Sequence, residues 1–170
     1  MMIALKKAEV VSFAVACIAG VLFHFVYEWT GENRIAALFF PINESAWEHL
    51  KLIFFPIAII SMIEYFCMGI QYDNFIVVKL LSALLGMLTT IVCFYTYTGV
   101  YGKNNDVLNI MIYFVSMIVA YYFSFHMIRG KKLMGISPKA GYWGFVLVML
   151  LFFVFSLFPP SIGIFQAQAP

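Results

Sequence analysis

Long apolar stretches separated by short polar segments run along the whole chain. Each stretch approaches or exceeds the roughly 20 residues that an α-helix needs to cross the hydrocarbon core of a bilayer. The pattern predicts five membrane-spanning helices, at about residues 8–30, 45–69, 75–98, 107–128 and 140–158. Lys6 and Lys7 precede the first helix, and Pro159 and Pro160 end the last one, because proline cannot extend a helical hydrogen-bond ladder.

The segment 31–42, between the first two predicted spans, contains a further apolar run at residues 35–40. This run is too short to cross a membrane. We expect it to lie at the membrane interface or to enter the membrane and turn back.

The composition supports a membrane protein. The 170 residues are 64% hydrophobic and only 11% charged, with a mean hydropathy of +0.97, whereas charged residues make up about a quarter of a soluble domain. We therefore predict an all-α, polytopic helix bundle forming a single transmembrane domain over residues 1–170, with the lipid bilayer as its surroundings. The sequence leaves its oligomeric state open.

The distribution of lysine and arginine predicts the orientation. Seven of the ten fall on the side of the N-terminus: Lys6, Lys7, Lys79, Arg129, Lys131, Lys132 and Lys139. The other three fall on the opposite side: Arg34, Lys51 and Lys103. Because cytoplasmic loops are enriched in positive charge, we predict a multi-pass protein of the cell membrane with its N-terminus inside and its C-terminus outside. The net charge of +2 then reflects topology and gives no support for nucleic-acid binding.

Polar residues concentrate at the start of the second span, where residues 41–51 hold three of the eighteen charged residues and one of the three histidines. A helix starting there would place Ser45 and His49 on one face and Glu44, Glu48 and Lys51 on the neighbouring face. Ionisable groups beside lipid are costly, so they are candidates for a functional site.

The first span carries a matching pair, because His24 and Glu28 are four residues apart and share a helix face. Both groups are predicted at the same outer depth, so they should line one polar pocket, formed by His24, Glu28, Asn43, Glu44, Ser45, Glu48 and His49. His24, Glu28 and His49 are the predicted ligands of zinc or another divalent cation.

The first hypothesis is that this pocket binds a divalent metal ion or a small polar ligand, and the sequence leaves open whether it is also an active site. Asn43, Ser45 and Glu28 would bind a small polar or lipid ligand. Glu44 or Glu48 would act as general base on a metal-activated water in a membrane hydrolase.

A purely structural interpretation explains several of the same residues. Ser45 and Glu48 have the spacing of a capping box, in which the two side chains satisfy the free amides at a helix start. Lys51 would pair with Glu48, and Glu28 with His24. The chain would then be a subunit of a larger membrane complex.

Transport is a further alternative. His24 and Glu28 would relay protons or ions to Glu64, Lys79 and His126, which are predicted near the opposite surface. We also expect an interhelical ion pair between Glu64 and Lys79.

Two segments of the sequence resemble a known family: residues 24–31, His-Phe-Val-Tyr-Glu-Trp-Thr-Gly, and residues 40–52, Phe-Pro-Ile-Asn-Glu-Ser-Ala-Trp-Glu-His-Leu-Lys-Leu. They resemble DUF6512, a family of small bacterial membrane proteins, and this resemblance implies a bacterial inner membrane but no particular activity. A more remote, partial similarity is to the alkaline ceramidase and progestin receptor superfamily of membrane hydrolases. The zinc sites of that superfamily use a Ser-x-x-x-His helix such as Ser45 to His49, together with a histidine pair on the last helix, whereas the fifth span here has no histidine.

Overall fold

The computed structural model describes residues 2–167, and these residues form a bundle of helices. In chain order the helices are α1 (Met2–Trp29), α2 (Ala36–Phe39), α3 (Ala46–Cys67), α4 (Phe75–Tyr101), α5 (Asp106–Arg129) and α6 (Pro138–Leu157). Single 3-10 turns at Gly69–Gln71 and Gly163–Phe165 follow α3 and α6. Five helices, all except α2, are long and apolar enough to cross a membrane. This confirms the predicted all-α membrane fold.

Helix α3 lies at the centre of the bundle. It packs against α1 and α4 and also contacts α5 and α6, and its Phe55 contacts Phe39 of α2. Residues 50–57, which include Pro56, are all buried, so this part of α3 has no face left for lipid. Helix α5 packs against α1 and α4, and α6 packs against α4 and α2.

The core between these helices is apolar, and its fully buried members come from all five long helices: Ala16, Leu50, Ile53, Phe54, Ile57, Ala83, Met117, Ala120 and Phe152. The outer faces of the bundle are apolar too. Val10, Ile18, Ile118 and Leu147 are examples of large side chains that are more than half exposed. Such faces suit contact with lipid, because aliphatic side chains lose nothing there.

The chain reverses direction after α1 through a Schellman turn. The N–H of Glu32 donates to the Tyr27 carbonyl and the N–H of Gly31 to the Glu28 carbonyl, both at 3.0 Å. Gly31 has a φ of +64°, a conformation that glycine adopts at little cost. Helix α2 follows as a single turn, and Phe39 at its end packs against Phe55 and Phe153. The apolar run at residues 35–40 is thus held against the bundle.

Helix α3 begins with half of the predicted capping box. The Ser45 hydroxyl accepts the N–H of Glu48 at 3.3 Å. The N–H of Ser45, however, donates to the side-chain oxygen of Asn43 at 2.9 Å, where a complete capping box would use Glu48. The Glu48 carboxylate is therefore free to make other contacts, although it lies on the first turn of α3.

Two polar clusters lie at opposite ends of the bundle. His24 on α1 meets His49 on α3 at one end, and Glu9 on α1 meets Glu64 on α3 through Lys79 at the other. Each pair of residues on the same helix is 15 positions apart, which corresponds to about 22 Å along a helix axis. The core described above fills the space between the two clusters.

Candidate metal centre

Three side chains converge where α1, the segment before α3 and the first turn of α3 meet. His24, Glu44 and His49 each offer one ligand atom, and these atoms lie within 4.8 Å of one another. Glu44 lies between the two rings. One of its oxygens is 3.3 Å from Nε2 of His49, and the other is 3.8 Å from Nε2 of His24. The centroids of the two imidazole rings are 5.4 Å apart.

A close approach of α1 and α3, one turn below the histidines, brings these rings together. A Cβ atom on Gly20 would lie only 2.6 Å from the carbonyl oxygen of Leu52, and closer still to the hydroxyl of Tyr113. Pro56 has no N–H, so it cannot donate the usual helical hydrogen bond to that Leu52 carbonyl. Gly20 thus allows α1 to approach α3, and through α3 it fixes the position of His49.

The ring of His49 is oriented by a backbone contact. Its Nδ1 atom is 3.0 Å from the carbonyl oxygen of Ser45, which can only accept a hydrogen bond. In a neutral ring with the proton on Nδ1, Nε2 carries a lone pair that points at the Glu44 carboxylate. Two lone pairs repel, so this arrangement requires a cation between Nε2 and Glu44. A proton or a metal ion would meet this requirement.

The electrostatics of Glu44 favour its charged form. The hydrogen bond with His49 and the charges of the two nearby histidines hold the pKa of Glu44 below its usual range, against the opposing effect of partial burial. Glu44 lies outside the membrane-spanning helices and its side chain is 64% exposed. An ion can therefore reach the group from solvent.

The distances are close to those of a zinc site. Ligands at the roughly 2.0–2.1 Å of zinc–nitrogen and zinc–oxygen bonds lie about 3.3 Å apart in a tetrahedron. The His49 and Glu44 atoms already have this separation. Nε2 of His24 is 3.8 Å from Glu44, and no two of the three ligand atoms are more than 4.8 Å apart, so His24 would need to move only a short distance toward the other two. Two histidines and one carboxylate leave a fourth coordination position open, as in catalytic zinc sites.

A cavity of about 60 Å³ adjoins the group, and it has room for a few water molecules. Glu44 and His49 form part of its wall, and Thr90, Tyr113 and two asparagines form another part. The asparagines are fixed. The side-chain amide of Asn109 donates to the side-chain oxygen of Asn104 at 2.9 Å.

The whole sequence matches one protein family. Residues 1–169 match the family described as "Family of unknown function (DUF6512)". The chain belongs to the DUF6512 family. No curated protein and no solved structure matches it. All residues of the candidate metal centre lie within the part of the chain that matches DUF6512.

In this DUF6512 protein, Glu48 lies outside the metal group although it is on the same turn as His49. Its carboxylate accepts from Nζ of Lys51 at 2.6 Å, from the N–H of Ile42 at 3.1 Å and from the hydroxyl of Ser156 at 2.7 Å. Lys51 is fully buried and also donates to the carbonyls of Ala37 and Phe40. Hydrogen bonds that fix the chain before α3 thus occupy both oxygens of Glu48, and its catalytic role stays a prediction.

Three other predicted site residues of the DUF6512 protein, Glu28, Asn43 and Ser45, are also not among the three clustered ligands. Glu28 is exposed on the last turn of α1 and is not among the three clustered ligands. The side-chain oxygen of Asn43 accepts the backbone N–H of Ser45, and the Ser45 hydroxyl accepts the backbone N–H of Glu48 and so caps α3. Of the two residues in the Ser-x-x-x-His pattern, His49 is therefore a candidate metal ligand and Ser45 is the cap of α3.

At the opposite end, the structure confirms the predicted ion pair of Glu64 with Lys79, at 2.8 Å. It adds Glu9, 2.9 Å from the same Nζ atom, which the sequence analysis missed. A single acid near the start of a long apolar stretch hardly changes its hydropathy. The usable signal was that Glu9 and Ser12 are three residues apart on one face of a spanning helix. His126 is exposed beside Tyr122 and has no part in this cluster.

Proposed function

We propose that this DUF6512 protein binds a divalent transition-metal ion, of the class of zinc, through His24, Glu44 and His49. The observation that carries the proposal is the arrangement at His49. Its Nδ1 faces a backbone acceptor while its Nε2 faces a carboxylate, so a cation is needed between Nε2 and Glu44. Metal-bound histidines commonly have their second ring nitrogen fixed in this way by a carbonyl oxygen.

The ligand set favours zinc over magnesium or calcium. Two imidazole nitrogens and one carboxylate oxygen suit borderline-soft ions, whereas magnesium and calcium prefer sites made of oxygen. A proton on His49 alone would leave His24 unexplained, since its Nε2 also faces Glu44.

We place the metal centre on the outer face of the cell membrane. Lys51 and Lys79 are buried in ion pairs, so they do not report on topology. Of the other eight lysines and arginines, six lie on the side of the N-terminus and two on the side of the metal centre. The positive-inside rule then puts the N-terminus in the cytoplasm.

A hydrolytic function would rest on the metal ion itself. A metal bound at three ligands lowers the pKa of a water in its fourth position to about 7, so a nucleophile forms without a strong base. Glu44 would be a ligand and Glu48 is held by Lys51, so neither is free to act as a general base. The adjoining cavity would admit a small polar group, with Asn104 and Asn109 as hydrogen-bonding partners.

A relay of protons from the metal centre to the opposite end is less well supported. The layer between the two clusters is built mainly from buried apolar side chains such as Ala16, Ile53, Phe54 and Met117. These side chains offer no hydrogen-bonding groups over most of the roughly 22 Å that separates the clusters.

The direct test is the metal content of the purified protein. Wild-type protein in detergent, incubated with zinc and then passed through a desalting column, should retain one zinc ion per chain by elemental analysis. The variants His24→Ala, His49→Ala and Glu44→Gln should each lose it.

The chain offers a matched control in its third histidine. His126 is exposed near the end of α5, at the opposite end of the bundle, so His126→Ala should retain the metal. Wild-type protein without bound zinc, or equal retention by His49→Ala and His126→Ala, would contradict the proposal. X-ray absorption at the zinc edge should show nitrogen and oxygen neighbours and no sulfur.

A further inference from the structure

A second group of ionisable side chains is buried between α1, α3, α4 and α5, far from the metal centre. Nζ of Lys79 is 2.9 Å from a carboxylate oxygen of Glu9 and 2.8 Å from one of Glu64. The Ser124 hydroxyl donates to Glu9 at 2.8 Å. Glu9, Glu64 and Lys79 are each at most 5% exposed. We call these three residues the buried ionic centre.

The charges of the buried ionic centre do not balance. Two carboxylates and one ammonium group give a formal charge of −1 when all three are ionised. An uncompensated charge inside a protein is costly, and a buried acid commonly takes up a proton instead. One additional positive charge would make the centre neutral.

Within residues 2–167 no other cation forms an ion pair with either carboxylate. On α3 and α5 the adjacent side chains are the neutral Ser61, Tyr121 and Ser124. On α4, Lys79 already stands between the two carboxylates, and its Nζ also lies 5.2 Å from the ring centre of Phe75. On α1, the nearest cation is Lys6, one turn from Glu9, whose side chain is exposed.

The centre also has unused hydrogen-bonding capacity. The second oxygen of Glu9 has no hydrogen-bond partner within residues 2–167, nor has the first oxygen of Glu64. The hydroxyls of Ser61 and Tyr121 are likewise buried and unpartnered within that range. A proton on either carboxylate would turn an acceptor into a donor, and the free oxygens and hydroxyls could then pair with it.

We propose that the buried ionic centre is a proton-binding site, which takes up one proton beside the Lys79 ammonium and so becomes neutral. The position of Lys79 between the carboxylates favours a proton over a metal ion, because the ammonium occupies the place that a second cation would take. The proposal is independent of the metal centre, which lies at the other end of the bundle.

A cleft between α1 and α5 reaches the centre at Glu9. The cleft has a volume of about 230 Å³ and is lined by the polar residues Lys6, Glu9, Tyr121 and Tyr122 and otherwise by apolar side chains such as Val10. Glu9 is the only member of the buried ionic centre that reaches it. Glu9 is therefore the group through which the bound proton would enter and leave.

Infrared spectroscopy of the protein in lipid nanodiscs tests for the bound proton, because a protonated carboxyl group has a carbonyl band separate from those of an ionised carboxylate. At neutral pH the wild type should show the band of one protonated carboxyl per chain. Glu9→Gln and Glu64→Gln should each abolish it, since one carboxylate and one ammonium remain and balance. Glu28→Gln, at an exposed position of α1, should leave it unchanged.

Two results would overturn the proton-binding site: no protonated carboxyl in the wild type, or a band that survives in both Glu9→Gln and Glu64→Gln. The first result needs no variant, so it cannot be confused with a folding defect.

The route is tested by the rate at which the band shifts after transfer to heavy water. Val10→Trp would fill the cleft, whereas Val11→Trp adds the same bulk at a neighbouring exposed position that does not line it. Exchange should slow several-fold in Val10→Trp alone. Equal rates in these two variants would overturn the cleft as the route.

Discussion

His24 and His49 lie with their ring centroids 5.4 Å apart although 25 positions separate them in the chain. Their contact requires the intervening segment to fold back onto α3. Lys51 holds it there by donating to the carbonyls of Ala37 and Phe40. The polar motif at residues 41–51 therefore has two functions. Glu44 and His49 belong to the candidate metal centre, and Glu48 and Lys51 fix the chain that carries Glu44.

The buried pair of Glu48 and Lys51 leads to the first prediction. Replacing Lys51 with methionine would leave the Glu48 carboxylate buried without its counter-charge and would release two backbone carbonyls. Breaking a buried ion pair in this way costs about 3–5 kcal/mol. We expect Lys51→Met to lower the free energy of unfolding by this order, measured by denaturant titration in detergent.

A double variant separates the charge effect from loss of packing. Glu48→Gln combined with Lys51→Met removes both charges, so it should recover part of the loss. A double variant less stable than Lys51→Met alone would show that the uncompensated charge is not the cause.

The close approach at Gly20 gives the second prediction. In Gly20→Ala the added methyl group would collide with the Leu52 carbonyl, which cannot move without shifting a helix. It would also displace the Tyr113 hydroxyl, which donates to the carbonyl of Cys17. Overpacking of this kind costs about 1–3 kcal/mol. The variant should also bind zinc less tightly, because α3 carries His49.

Gly99 is a matched control for Gly20. It lies inside α4, and an added Cβ atom would meet nothing within 4 Å. Gly99→Ala should therefore keep the stability or raise it slightly, since alanine favours the helix. Equal destabilisation of the two variants, measured by thermal unfolding, would contradict the role given to Gly20.

The sequence pattern was sufficient to predict the five long helices. Lipid imposes a minimum length and a nearly unbroken apolar composition on a spanning helix, so hydropathy alone carries this information. The same pattern could not reveal Glu9, because a single acid near the start of the 28-residue α1 leaves the stretch apolar.

The candidate site was predicted only in part, for a geometric reason. The sequence analysis treated Glu44, Glu48 and Lys51 as one helix face, but α3 begins at Ala46 and Ser45 caps it. Glu44 therefore precedes the helix and does not follow its periodicity, and it turns toward the histidines while Glu48 and Lys51 do not. The contact of Glu48 with Ser156, 108 positions away in the chain, depends on how α6 packs.

The third prediction concerns Asn74, which joins two loops at the end of the bundle opposite the metal centre. Its buried side-chain amide donates to the carbonyls of Met127 and Lys132, at 3.0 and 2.8 Å. Asn74→Leu would remove both of these hydrogen bonds and leave the Met127 carbonyl with only the N–H of Lys132, and each lost hydrogen bond costs about 0.5–1.5 kcal/mol. We expect a lower melting temperature, and little change for the exposed neighbour in Asp73→Ala.

The fourth prediction uses metal binding as a source of stability. A ligand that binds only the folded protein stabilises it by about 2.7 kcal/mol when its free concentration is one hundred times its dissociation constant. Zinc should therefore raise the melting temperature of the wild type in a concentration-dependent way, and a chelator should reverse the shift. Magnesium should have little effect, because two of the three ligand atoms are imidazole nitrogens.

Two acidic residues at this end of the bundle allow a test of whether the zinc-dependent shift in melting temperature comes from the candidate metal centre. Glu44 lies between the two histidines, whereas Glu28 is exposed on α1 and outside the group. The shift should vanish in Glu44→Gln and persist in Glu28→Gln, since each change removes one negative charge from the same end of the bundle. If both variants kept the shift, zinc would be binding elsewhere. If both lost it, the effect would come from general negative charge, because coordination by Glu44 cannot explain the loss in Glu28→Gln.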